Sequence, residues 1–284
     1  MSDLALERAL IRDRWIVGGC LALLVALACL WLWRDHATMA DWEKSMAAMG
    51  MKDMDMDGGP MAASSVPAAY LVEAFVMWLI MMVAMMLPSA APMILLYGKL
   101  ARSGRQQGGV FASTTVFAGF YLVVWGGFSA VAALIQWTLV RSGVISDMGL
   151  AFGDRRVAGA LLIAAGLYQL TPLKYACLEK CRSPLSFLMR LWRPGLAGAA
   201  RLGLTHGVYC LGCCAMLMAL LFVFGVMNLA WVALLAIVVL IEKVVPGGQR
   251  IGRLAGIATL ALGVAMVLGL SPVAIVSLRW RPHA

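Results

Sequence analysis

The chain has 284 residues, 63% hydrophobic and only 13% charged, with a mean hydropathy of +0.89. A soluble domain carries about 25% charged residues, so this composition excludes an ordinary globular protein and points to the membrane class. The formal net charge of +9 then reports which loops face the cytoplasm rather than a nucleic-acid footprint, and nucleic acid is not an expected partner.

The first apolar run, 15–33, follows Arg8, Arg12 and Arg14. It is longer than the roughly 7–15 residues of a secretory h-region, and no small-x-small cleavage site follows, so it reads as an uncleaved signal-anchor. Residues 34–68 form a hydrophilic loop rich in Met and Asp. Within GMKDMDMDGGPM (50–61), Asp53, Asp55 and Asp57 have the spacing of a calcium loop. The twelfth position, however, is Ser64 rather than a bidentate Glu, and Pro60 interrupts the run. The thioethers of Met49, Met51, Met54 and Met56 suit capture of a soft metal instead. A solvated acidic linker is the alternative.

Further apolar runs follow at 69–97, 110–140, 157–173, 203–225, 228–245 and 254–278. Most approach or exceed the roughly 20 residues that cross a bilayer as a helix. The expected fold is therefore an all-α polytopic transmembrane helical bundle of about seven spans, with six as the variant. Its organisation is 1–68 (anchor and Met/Asp-rich loop), 69–253 (metal-binding membrane core) and 254–284 (last span and tail). Basic residues gather in alternate connections: Lys99, Arg102 and Arg105; Lys174, Lys180, Arg182, Arg190, Arg193 and Arg201; Lys243, Arg250 and Arg253. The positive-inside rule places these and the N-terminus in the cytoplasm, and loop 34–68 in the periplasm, of a multi-pass inner-membrane protein. Residues 174–202 also carry Leu185, Phe187, Leu188, Leu191 and Trp192 among the basic side chains, a pattern for an interfacial segment. Gly203-x3-Gly207 and Gly252-x3-Gly256 have the spacing that lets helices approach closely. The chain has no G-x-x-x-x-G-K-[ST] loop, so ATP-driven pumping is not expected.

The second run reads MWLIMMVAMMLPSAAPM (77–93). At 3.6 residues per turn Met77, Met81 and Met85 share one stripe, and Met82 and Met86 continue beside it. Thioethers coordinate Cu(I) with no proton to lose and no charge to bury. The competing reading is core packing, since Met fills irregular gaps. Pro88 and Pro92 interrupt the backbone ladder near the inner end. Five cysteines fall within 38 residues: Cys177-x3-Cys181, then His206-x3-Cys210-x2-Cys213-Cys214. Each group lies on neighbouring helical faces, and together they offer thiolate and imidazole ligands for Cu(I), or for Zn(II) as the second candidate. Cys20 and Cys29, inside the first run, read as small buried hydrophobes. Glu242-Lys243 reads as an interfacial charge pair with a snorkelling lysine, or else as a carboxylate beside the metal site. Tyr168, Gln169 and Lys174 stand near the cysteines in sequence and could support the ligands. No Ser/His/Asp triad or paired-carboxylate hydrolase pattern is present, and a catalytic role is not the expected one.

In order along the chain, MWLIMMVAMMLPS (77–89), YQLTPLKYACLEKCRSP (168–184), HGVYCLGCCAMLM (206–218), GVMNLAW (225–231) and Glu242-Lys243 resemble the family described as predicted metal-binding integral membrane proteins. The resemblance covers about 70–245 and implies a polytopic bacterial inner-membrane protein with a metal site. The expected function is binding of a soft metal, Cu(I) first, in transport, delivery or homeostasis. The expected partners are the lipid bilayer, the ion, a periplasmic metallochaperone or metalloenzyme, and a second copy of the chain. The rival classes are a membrane thiol–disulfide oxidoreductase and a membrane scaffold for a metalloenzyme.

Overall fold

A computed structural model describes residues 68–103, 110–144, 154–226 and 228–270, with parts of 19–41. Loop positions Met49, Met51, Met54 and Met56, and the tail 271–284, lie outside the described residues. Every regular element among the described residues is a helix. In chain order they are α1 (Val25–Arg34), α2 (Ala68–Ser103), α3 (Val110–Arg141), α4 (Arg155–Gln169), α5 (Pro172–Arg182), α6 (Pro184–Leu191), α7 (Gly195–Ala219), α8 (Leu221–Phe224), α9 (Leu229–Val244) and α10 (Gly248–Val267).

Among the described residues four helical stretches are long and apolar enough to cross a membrane: Ala69–Arg102, Ser113–Arg141, Gly195–Phe224 and Gly248–Val267. A fifth results if α4 and α5, bent by 61°, are taken as one broken span. Among the described residues the count is thus lower than the seven apolar runs of the sequence, for identifiable reasons. The run 157–173 is not one straight helix. Pro172 disfavours helical backbone at Thr171, so the chain turns there and restarts with Pro172 as the first residue of α5. The run 228–245 yields α9 of 16 residues, shorter than the roughly 20 needed to span. Of the first run only Val25–Arg34 is a described helix.

Contacts divide the chain into two compact units, each discontinuous in sequence. Among the described residues one contains 75–131 and 175–213, and the other contains 68–74, 132–174 and 214–270. In the first unit α7 packs on α3 through the two glycines singled out from the sequence. A Cβ at Gly203 would strike the Phe117 carbonyl, and one at Gly207 would stand 2.8 Å from the Val124 side chain. In the second unit α4 crosses α10 backbone to backbone. Gly159 and Gly263 face each other there, and a Cβ at Gly166 would lie 2.7 Å from the Leu260 nitrogen. Gly252 and Gly256 also prove to be contact glycines, against Glu242 and Gln169 respectively. Both small-x3-small pairs therefore serve close packing rather than being incidental.

This sets one expected result. Gly166→Ala forces the two helices apart against fixed backbone and should lower stability by about 1–3 kcal/mol, the usual cost of overpacking. Gly127→Ala is the control: no atom lies within 4 Å of the added methyl, and a mid-helix Gly→Ala change gains roughly 0.5–1 kcal/mol. Thermal unfolding of the two variants in detergent should move in opposite directions.

Candidate metal site

Helix α2 supplies the core of the first unit. Its buried positions recur in pairs, 77–78, 81–82 and 85–86, as the helical period requires for one inward face. Five of these six are methionine, all at most 5% exposed, and the sixth is Trp78. The intervening, less buried positions carry Leu79, Ile80, Val83 and Ala84. Methionine is thus confined to the inward face, although Leu or Ile would fill an apolar core with less conformational freedom to lose. Met93 continues the buried face beyond the two prolines.

At the end of the methionine column the Met86 carbonyl accepts hydrogen bonds from the Ser89 hydroxyl at 2.9 Å and the Tyr121 hydroxyl at 3.2 Å. The same Tyr121 oxygen lies 3.2 Å from Cys210 Sγ. Helix α3 delivers Tyr121 on a stripe of fully buried aromatics, Phe117, Tyr121 and Trp125, spaced four apart. One turn along α7, the Cys213 thiol donates to the Cys210 carbonyl at 3.1 Å. Cys177 of α5 comes up against Gly212, where an added Cβ would be 2.9 Å from its sulfur. The absence of a side chain at Gly212 is what lets α5 bring that sulfur in. Cys181, one turn further, is half-buried.

His206 is buried among aromatic rings, with centroids of Tyr121, Phe187 and Phe117 at 5.4, 5.8 and 6.1 Å. Among the described residues no three of His, Cys, Asp and Glu form a group that could hold a metal ion. The H-x3-C-x2-C spacing does align its side chains on one stripe, but seven residues of helix separate His206 from Cys213 by about 10 Å along the axis.

In the second unit Cys214 faces Lys243, with Nζ 3.8 Å from Sγ. Glu242 is claimed by Lys174, whose Nζ lies 2.7 and 2.8 Å from the two carboxylate oxygens, and Gln169 donates to Oε1 at 2.5 Å. Lys174 is 0% exposed and Glu242 2%. Three readings are corrected here. Glu242-Lys243 is not an interfacial pair with a snorkelling lysine, because both residues are buried and each turns to a different partner. Gln169 and Lys174 support that carboxylate and not the cysteines. Glu242, with both oxygens engaged by an ammonium, is not arranged as a metal ligand. Sequence reasoning missed Tyr121, although the spacing Phe117-x3-Tyr121-x3-Trp125 was available as a signal for an inward aromatic stripe.

None of the six described cysteines forms a disulfide. A family model described as PpoB2, copper chaperone, matches residues 75–266. No curated protein and no solved structure matches the chain.

Proposed function

Because the chain belongs to the PpoB2 copper chaperone family, we propose that it binds Cu(I) on the buried methionine column of α2, as an integral protein of the bacterial plasma membrane. The observation that carries this reading is the confinement of methionine to the inward face of α2. Copper is the cargo, and Met77, Met81, Met82, Met85 and Met86 are the residues that would hold it in passage. A thioether is soft, uncharged and carries no proton, so a monovalent soft ion can enter a dry interior without displacing protons or leaving an anion behind. Zn(II) prefers imidazole, thiolate and carboxylate, and the column offers none of these. Cys210, held by the Tyr121 hydroxyl beside the Met86 carbonyl, is the step at which a thiolate can take the ion more tightly. Cys177 and Cys213 lie next along that route. The four long apolar helices and the basic loops support placement in the membrane with the N-terminus in the cytoplasm. Loop 34–68, with Met49, Met51, Met54 and Met56, would then collect the ion on the periplasmic side. Delivery to a periplasmic metallochaperone or metalloenzyme is the role this arrangement serves best.

The test is metal retention by the purified full chain, equilibrated in detergent with Cu(I) under reducing conditions or with Zn(II), then desalted. Near-stoichiometric copper and background zinc are expected. Equal retention of the two metals, or of neither, would overturn the reading. A finer variant probes the junction. Tyr121→Phe keeps the ring against His206 but removes the hydroxyl from Cys210. Loss of such a supporting hydrogen bond typically weakens metal binding about 10–100-fold. Competition with a Cu(I) chelator should show a drop of that size, with stability nearly unchanged.

A further inference from the structure

Helix α6 is short and pinned by aromatic contacts. Its Phe187 and Leu188 are buried. The Phe187 ring meets His206 at 5.8 Å and Tyr209 edge-on at 6.1 Å. Just past the helix, Trp192 leans on Tyr97 at 5.4 Å. These contacts fix which face turns outward, and on it Leu185 is 57% exposed and Met189 65%. Single exposed leucines are ordinary. Here, however, Leu185 and Met189 stand one turn apart on the same face, beside exposed Ser186 and Arg190. Around it Arg190, Arg193 and Arg201 are exposed and Lys180 and Arg182 half-buried, with Glu179 as the acidic residue of the segment. An outward apolar row rimmed by arginine is the pattern of a helix lying in a bilayer interface.

We propose that α6 and its flanks dock on the anionic headgroup layer of a bilayer. Leu185 and Met189 enter the acyl boundary, and Arg190, Arg193 and Arg201 engage lipid phosphates. Guanidinium groups suit that task because they meet phosphate oxygens with two parallel hydrogen bonds. The position fits as well. Gly195 opens the stretch Gly195–Phe224 that is long and apolar enough to span, so α6 lies where that span would leave the membrane. The contrast with α2 is chemical: its methionines are buried on an inward face, whereas Met189 is the most exposed residue of this patch. The inference rests on the membrane placement proposed above and not on copper binding.

The test uses the full chain in nanodiscs of phosphatidylcholine alone and of phosphatidylcholine mixed with phosphatidylglycerol, with amide hydrogen exchange read by mass spectrometry. Amides of 184–201 should exchange several-fold more slowly in the anionic lipid, while those of α10 serve as the internal reference. In Arg190→Gln/Arg193→Gln/Arg201→Gln that lipid-dependent protection should fall at least five-fold, about the worth of one basic residue at an anionic surface. Leu185→Ser/Met189→Ser should instead reduce protection in both lipids. Equal exchange in the two lipids overturns the proposal alone. A chain that enters neither nanodisc overturns it together with the membrane placement.

Discussion

Replacing Met81, Met82, Met85 and Met86 together by leucine should lower retained copper well below the parent, to what the cysteines hold without the column, and leave the protein folded. Leucine matches methionine closely in volume, and such swaps cost less than about 1.5 kcal/mol each in a packed core. All four positions are at most 2% exposed, so no new surface is created and the apolar character of the inward face is kept. What disappears is every thioether in the two turns that end at Met86. If these methionines were only core filler, the leucine variant would retain copper as the parent does, and the role given to α2 would fail. Elemental analysis of the two purified proteins decides it. Thermal unfolding run alongside separates loss of ligands from loss of fold. Sulfur-only coordination in the X-ray absorption spectrum of the copper-loaded parent would be the matching positive sign.

The second large effect concerns stability. Lys174→Met removes the partner of Glu242 and leaves a carboxylate stranded 2% exposed, with Gln169 as the remaining donor shown to it. Removing one member of a buried ion pair costs about 3–5 kcal/mol, which corresponds to a fall in Tm of roughly 6–20 °C. The double variant Lys174→Met/Glu242→Leu should recover most of that loss, since an apolar pair of similar volume carries no stranded charge. Unfolding of the two variants beside the parent checks the sign. Equal stability of the single and double variants would mean that the pair is not the coupled unit its geometry indicates.

The parts of this molecule written in local periodicity were legible in its sequence. The inward methionine face of α2 follows from residues three and four apart, and the two glycine pairs mark close helix contacts for the same reason. Fewer candidate spans are found among the described residues than the apolar runs suggest, because an apolar run records composition and not continuity. Nothing in the hydrophobicity of 157–173 registers the turn at Thr171, although the following Pro172 does. The cysteine–histidine group was over-read on the same ground. Spacing one turn apart sets residues side by side on a stripe, but positions two turns apart, such as His206 and Cys213, lie about 10 Å from one another along the axis. Pairings between distant segments were out of reach. Lys174 with Glu242, Tyr121 with Cys210, and Lys243 with Cys214 each depend on how helices far apart in sequence are set against one another. Glu242-Lys243 shows this most directly, since two neighbouring charges look like one surface feature until each is found with its own buried partner.

The buried pair also imposes an order on biosynthesis. Lys174 leaves the ribosome 68 residues before Glu242. At usual translation rates of about 5–20 residues per second that interval is roughly 3–14 seconds. Throughout it the lysine must stay hydrated or borrow another counter-charge, so the buried place of Lys174 in the second unit is completed only when Glu242 has been made.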